Sequence, residues 1–155
     1  MEDEYQFKRR IYDDAHGIDL LISPVSTDEV EEYELCIIQT KDNCTAKFTV
    51  EPAAYSKSKI TIYIYAEGTS EVNCVCTLNV PKEVKGVETD IQIRSWPFDR
   101  SKIHARPEMF IKNSNVIATH GNAIGTISSS DKYYLSSRGI VDYKELIKQS
   151  LLDHA

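Results

Sequence analysis

The chain lacks the long apolar run that a membrane span requires. A transmembrane helix needs about 20 consecutive, mostly apolar residues, and none of the 155 residues begins such a run. The first residues, Met1 to Glu4, are acidic and have no apolar core, which is unlike a secretory signal or a transit peptide. We therefore expect a cytoplasmic protein that binds no membrane.

The chain also has fewer basic than acidic residues. The chain has 18 Lys and Arg against 24 Asp and Glu, a net charge of −6. Binding to nucleic-acid phosphates needs clustered cations, and the one basic cluster, residues 8–10, is flanked by acidic residues. We interpret that cluster as a solvated charged face, and we expect no nucleic-acid partner.

No familiar catalytic motif is present. The sequence contains no recognisable catalytic triad, phosphate-binding loop or paired-carboxylate motif. The glycines at 121 and 125 have the wrong spacing for a dinucleotide-binding fingerprint and follow no strand–helix–strand pattern. We therefore expect neither an enzyme nor a nucleotide-binding protein.

The four cysteines form no Cys-x-x-Cys pair and no zinc-finger spacing. In the cytoplasm they are expected to be reduced thiols. Cys74 and Cys76 share one side of a predicted strand, where they either offer two thiolates to a metal or pack as small apolar core residues. The second interpretation is favoured because their neighbours on that side are apolar. Cys44 follows a predicted turn, so we expect it to be the more exposed thiol.

Alternation of apolar and polar residues predicts a β protein from residue 34 onward. The clearest runs are 59–66, 72–80 and 89–95, with weaker ones at 34–40, 45–50, 103–105, 108–112 and 116–119. The strands begin every 10 to 15 residues or so, a spacing that fits either an antiparallel sandwich or a coiled parallel solenoid. Periodicity alone does not distinguish the two.

After residue 128 the pattern turns helical. Ser130 is placed to cap a helix over 131–137 that closes at Gly139 in the left-handed conformation. Asp142 is placed to cap a second helix, whose apolar stripe is Tyr143, Leu146, Ile147 and Leu151. The predicted organisation is an N-terminal segment of uncertain structure (1–33), a β core (34–128) and a C-terminal helical segment (129–155).

Three pieces of the last third resemble the C-terminal signature of the SufB/SufD family, the scaffold subunits of SUF iron–sulfur cluster assembly. They are residues 105–111 (ARPEMFI), a presumed turn at 119–121 (THG) and residues 133–140 (YYLSSRGI). Their order and spacing match the family signature, and the specific resemblance covers 88–152. The resemblance implies a mainly β fold whose core is a right-handed parallel β-helix, with a small C-terminal helical pair.

The resemblance also singles out His120 as the candidate cluster or metal ligand. Gly121 after it is similar to SufD-type members, whereas SufB-type members tend to have Glu there. Many SufD-type members have Cys two positions earlier, where this chain has Ala118. The alternative is a histidine that hydrogen-bonds its own turn, with Gly121 required by the backbone.

The resemblance implies a non-enzymatic scaffold or accessory subunit that handles a transient iron–sulfur cluster. Its expected partners are a SufC-like ABC ATPase and a SufB/SufD-type partner or a second copy in a homodimer. The candidate ATPase-docking residues lie in the helical segment, and they are Tyr134, Leu135, Arg138, Leu146, Ile147 and Leu151. The alternative is a structural or binding module of the same fold that has lost cluster chemistry. A carbohydrate-active β-helix is disfavoured because no acidic residues cluster on one strand stack.

Overall fold

A computed structural model of the protein describes residues 9–125, 130, 133, 136–139 and 142–153. Within these residues the chain forms nine strands and then a helix. The elements are β1 (Arg9–Asp13), β2 (Gly17–Ile22), β3 (Glu31–Gln39), β4 (Asn43–Val50), β5 (Lys57–Ala66), β6 (Glu71–Val80), β7 (Val87–Pro97), β8 (Lys102–Ile111), β9 (Val116–Ile124) and α1 (Tyr143–Asp153).

The strands wind into a parallel β-solenoid of about 4 turns. The odd-numbered strands form a five-stranded sheet, in the order β1-β3-β5-β7-β9, and the even-numbered strands form a four-stranded sheet, in the order β2-β4-β6-β8. Every neighbouring pair is parallel, so the antiparallel sandwich is excluded. The β-helical core that the family resemblance implied is confirmed.

The core lies between the two sheets. Alternate residues of each strand point inward and stack in register from coil to coil, as in the column Leu35–Ile62–Ile93. Members of this column are 0–1% exposed. Fully burying one such side chain contributes about 1.5–3 kcal/mol. The period-two pattern of the sequence therefore becomes a continuous apolar interior, and the outward residues are left for solvent or for a partner.

The corners between strands are held by side chains of the turn residues. Asp14 adopts a φ of 51°, and its carboxylate accepts hydrogen bonds from the Thr40 main-chain N–H (2.6 Å) and the Thr40 hydroxyl (2.7 Å) in the next coil. At another corner Gly86 has a φ of 75°, a left-handed conformation that costs other residues about 1–2 kcal/mol. These corners keep successive coils in register.

Helix α1 packs on the outer face of the five-stranded sheet. Leu151 is 7% exposed and joins Cys36, Ile38 and Tyr65 in a second apolar cluster, separate from the solenoid interior. Asp142 caps the helix as predicted, because its carboxylate accepts from the Glu145 N–H (3.1 Å). No helix among the described residues is both long enough and apolar enough to cross a bilayer.

Three features differ from the expectations. The solenoid begins at Arg9 rather than near residue 34, because β1 and β2 add a first coil. The prediction that Cys44 is exposed was wrong, since its side chain points into the core opposite Val72 and is 0% exposed. The predicted helix over 131–137 falls largely outside the described residues, although Gly139 does adopt the expected positive φ (81°).

Candidate functional site

Strand β9 ends the described stack of coils, and we call this end of the solenoid the open end. Strand β9 pairs with β7, and no described strand pairs with its other edge. Its nine residues include no proline and no Asp, Glu, Lys or Arg, the devices that usually protect an edge strand. The neighbouring edge strand, β8, does contain them, with Lys102, Arg106, Pro107 and Glu108. The β9 edge is therefore the end of the molecule best suited to pair with another strand.

His120 lies in the middle of β9, on the column that faces the interior. It is in register with Ile91, which is 0% exposed, and the preceding inward residues, Val116 and Ala118, pack against the core. No described coil covers it, and His120 is exposed. The prediction of a turn at 119–121 was wrong. His120 makes no hydrogen bond or ion pair with any described residue, so no bond to its own backbone occupies the imidazole.

Two glycines, one in β9 and one just after it, lie close to large side chains of β7. A Cβ at Gly121 would overlap the side-chain amide of Gln92, and a Cβ at Gly125 would overlap the Trp96 indole. Both long side chains lie over glycines of the next coil. The backbone of Gly121 is not left-handed, and the close approach involves the flexible end of the Gln92 side chain.

A cavity of about 500 Å³ opens between the ends of the two sheets. It begins at Asn122, the next inward-facing residue of β9 after His120. Asn122 lines it and donates a hydrogen bond to the Ala105 carbonyl across the solenoid (2.7 Å). Ser95 also lines it, 2% exposed, and its hydroxyl has no hydrogen-bond partner among the described residues. Cys74 lies at the cavity wall. The open end therefore combines an unpaired imidazole, an unpaired buried hydroxyl and an edge strand.

Comparison with known protein families identifies this architecture. The model of the SufBD core domain of SUF system iron–sulfur cluster assembly matches residues 28–144, which is most of the chain. The chain belongs to the SufB/SufD family. The match extends further toward the N-terminus than the motifs at 88–152, and it includes the whole of β9. No curated protein matches the chain.

Membership of the SufB/SufD family involves the chain in SUF iron–sulfur cluster assembly. Clusters are normally held by thiolates, but Cys74 and Cys76 are 0–1% exposed inside the solenoid. Burial raises the pKa of the Cys76 thiol to about 12 and that of Cys74 further still, which disfavours the thiolate. Among the described residues no three His, Cys, Asp or Glu side chains are grouped to hold a metal. The described part of this chain does not offer a complete ligand set for a cluster.

The candidate ATPase-docking residues are divided between two environments. In α1, Leu151 is buried on the chain's own sheet and Ile147 is half-buried, whereas Leu146 is 41% exposed. Arg138 is exposed just before the helix. Tyr134 and Leu135 lie outside the described residues. Of the stripe predicted from the sequence, Ile147 and Leu151 therefore pack on the sheet, whereas Leu146 faces away from it.

Reasoning from the sequence located His120 but missed its surroundings. Asn122 and Ser95 carry no motif, and only the coil-to-coil register brings them to the same end as His120. One signal was available for the edge itself, because residues 113–130, which include the predicted strand at 116–119, contain no Asp, Glu, Lys or Arg.

Proposed function

We propose that this chain is a scaffold subunit of cytoplasmic iron–sulfur cluster assembly and is not an enzyme. It supplies one ligand, His120, to a cluster that is completed by a partner at the open end of the solenoid. The observation that carries the proposal is an exposed, unpartnered imidazole on the inward column of a bare edge strand. Neutral imidazole is a borderline ligand suited to iron.

The partner is either a SufB/SufD-type chain or a second copy of this one, paired through the β9 edge. The Gly125 N–H donates to the Ser95 carbonyl of β7 (2.6 Å). Because main-chain groups alternate sides along a strand, the N–H groups of His120 and Asn122 point to the free edge. A strand added there places its own side chains over the inward column, next to His120. Such a strand also supplies the ligands that the described part of this chain lacks.

Anaerobic reconstitution with iron and sulfide, in the presence of the partner subunit, tests the ligand. We expect the charge-transfer absorption of an iron–sulfur cluster, reduced severalfold in His120→Ala. The matched control is His16→Ala. His16 is an exposed histidine at the corner between β1 and β2, in the first coil and away from the open end. Equal absorption from the two variants would contradict the role of His120.

A charge placed on the edge strand tests the pairing. Ile117 is 65% exposed on β9, and Ile117→Lys adds the kind of charge that protects natural edges. We expect it to weaken the complex at least about tenfold, since unpaired charges oppose strand addition. Val25→Lys, at a 47% exposed residue in the loop before β3, is the control. Sedimentation velocity that shows the same assembly state for both variants would exclude the β9 interface.

A second candidate is a binding module of the same fold that no longer handles clusters. Ala118 occupies the place of a thiol beside His120, and the cysteines of the described chain are buried, which favours this reading. Such a module remains colourless after reconstitution but still binds a SufC-like ATPase. We place that ATPase on the C-terminal helical segment. If deletion of residues 133–155 leaves ATPase binding unchanged, this placement is wrong.

A further inference from the structure

Two residues of the apolar stripe of α1, Ile147 and Leu151, face the chain's own sheet. Leu151 is 7% exposed in a cluster with Cys36, Ile38 and Tyr65, and Ile147 packs at its margin. A helix that presents Leu151 to another protein must first leave this sheet. The docked conformation and any partner-bound conformation that uses the same stripe are therefore mutually exclusive.

Among the described residues, ion pairs near the surface and one part-buried hydrogen bond hold α1 on the sheet. Lys144 pairs with Asp99 (3.1 Å), and the half-buried Lys148 lies near Glu67 (3.7 Å) and over the ring of Tyr65 (5.8 Å to its centre). The Arg9 guanidinium of β1 donates a hydrogen bond to the Leu151 carbonyl. Ion pairs near the surface stabilise weakly and are screened by salt. With 11 residues, α1 is also too short to be a stable helix once detached.

The helix covers the outer face incompletely. A groove of about 240 Å³ remains between α1 and the sheet, lined by Tyr63, Trp96, Ile147, Ser150 and Leu151. The Tyr63 and Trp96 rings stack here, with centroids 6.2 Å apart. Detachment would uncover these two rings together with Tyr65 and Phe98, an aromatic patch on the outside of the solenoid. Helix α1 thus lies on an aromatic surface that is itself able to bind an apolar partner.

We propose that α1 is a releasable cover, whose docking on its own sheet competes with the docking of the ATPase. The proposal rests on the proposed function for its partner and adds a regulatory step to it. In the docked state the chain holds Leu151 and Ile147 against the sheet, and the ATPase captures the released helix. The cost of release lowers the affinity for the ATPase and couples its binding to exposure of the aromatic patch.

Cys36 reports the release directly. Its side chain points outward from β3 into the cluster that contains Leu151, and it is 0% exposed. The other three cysteines, at 44, 74 and 76, belong to the interior cluster, which contains no residue of α1. Release of the helix therefore exposes one thiol of the four, whereas global unfolding exposes all of them.

The experiment measures the rate at which iodoacetamide alkylates each cysteine of the native 155-residue chain, by mass spectrometry. We expect Cys36 to react faster than Cys76, and Leu151→Ala to accelerate Cys36 by about tenfold or more without accelerating Cys76. Leu146→Ala, on the exposed side of the same helix, is the control and should leave both rates unchanged. Raising NaCl from about 50 mM to about 1 M, where the Debye length falls to about 3 Å, should also accelerate Cys36.

Two results would overturn the proposal. One is parallel reaction of Cys36 and Cys76 in every variant, which means that α1 opens only with the whole fold. If Leu151→Ala unfolds the chain, Lys144→Gln and the salt series decide the same question. The other result is ATPase binding that leaves the Cys36 rate unchanged, since capture of α1 must expose it. Failure of the ATPase to bind at all refutes the docking proposal, while the rates without ATPase still decide whether the helix is released.

Discussion

Substituting Cys76 by serine and by alanine separates a packing role from a ligand role. Its side chain is 0% exposed on the inward column, in register with Phe48 and Pro107. Neither of these neighbours has a side-chain hydrogen-bond acceptor. Cys76→Ala removes one sulfur atom and leaves a small cavity, for which we expect a loss of about 1 kcal/mol in the free energy of unfolding. Cys76→Ser nearly keeps the side-chain volume but buries a hydroxyl. If that hydroxyl finds no hydrogen-bond partner, the free energy of unfolding falls by about 1–3 kcal/mol.

The expected order of stability is therefore wild type, then alanine, then serine. Urea unfolding followed by far-ultraviolet circular dichroism measures the three free energies, and an unchanged m value indicates that the unfolded state is unaffected. Asn73→Ser, on the exposed face of the same strand, is the control and should remain within about 0.5 kcal/mol of the wild type. A serine variant as stable as the wild type would refute the reasoning, because the site would then have to be polar or open to water.

Three further predictions follow from the corners and the helix. Burial raises the pKa of Asp14, but hydrogen bonds from Thr40 outweigh this effect and hold the pKa below its ordinary value. Asp14→Asn should therefore lower the free energy of unfolding at pH 7. In urea unfolding, this difference from the wild type should disappear as the pH falls through the pKa of the folded state, below about 3.9. Gly86→Ala requires a left-handed alanine and displaces the Tyr55 ring, so thermal unfolding should show a loss of at least about 1–2 kcal/mol. Asp142→Ala removes the cap of α1 and costs the helix about 1 kcal/mol, which should appear as faster amide exchange in α1 and unchanged exchange in the strands.

The strands at the centre of the solenoid could be predicted from the sequence, and the first coil could not. In β6 every second residue is apolar and fully inward, because coils on both sides must bury it. Strand β1 pairs with one described strand only, β3, and its five residues are mostly polar, RRIYD. The period-two signal fades at the ends of the stack for that reason. Periodicity also does not indicate whether neighbouring strands run parallel or antiparallel. The parallel solenoid was therefore predicted from the family resemblance and not from the alternation of residues.

The same reasoning explains what was predictable at the site. His120 was found by its motif, but the motif was interpreted as a turn, whereas the residue continues the column of Ile91. Cys44 was misplaced because a turn precedes it, although it is the first inward residue of β4 and opposes Val72. Both errors concern the residue at which a strand begins or the residue through which it continues. A pattern of a few neighbouring residues does not fix the limits of a strand, whereas pairing with the next coil does.

Successive coils of the solenoid pair in the same register, so each coil forms one layer of similar length in a stack. Ala46 lies opposite Cys74, 28 positions along the chain, and Cys74 lies opposite Ala105, 31 positions further. Each layer touches mainly the one below and the one above, so a layer inserted or deleted between corners leaves the remaining layers nearly intact. Gene rearrangements of about that length can therefore lengthen or shorten such a protein while both ends keep their surfaces. The distance between the two ends is then free to vary among relatives, and the chemistry at the last strand is inherited separately from the length of the stack.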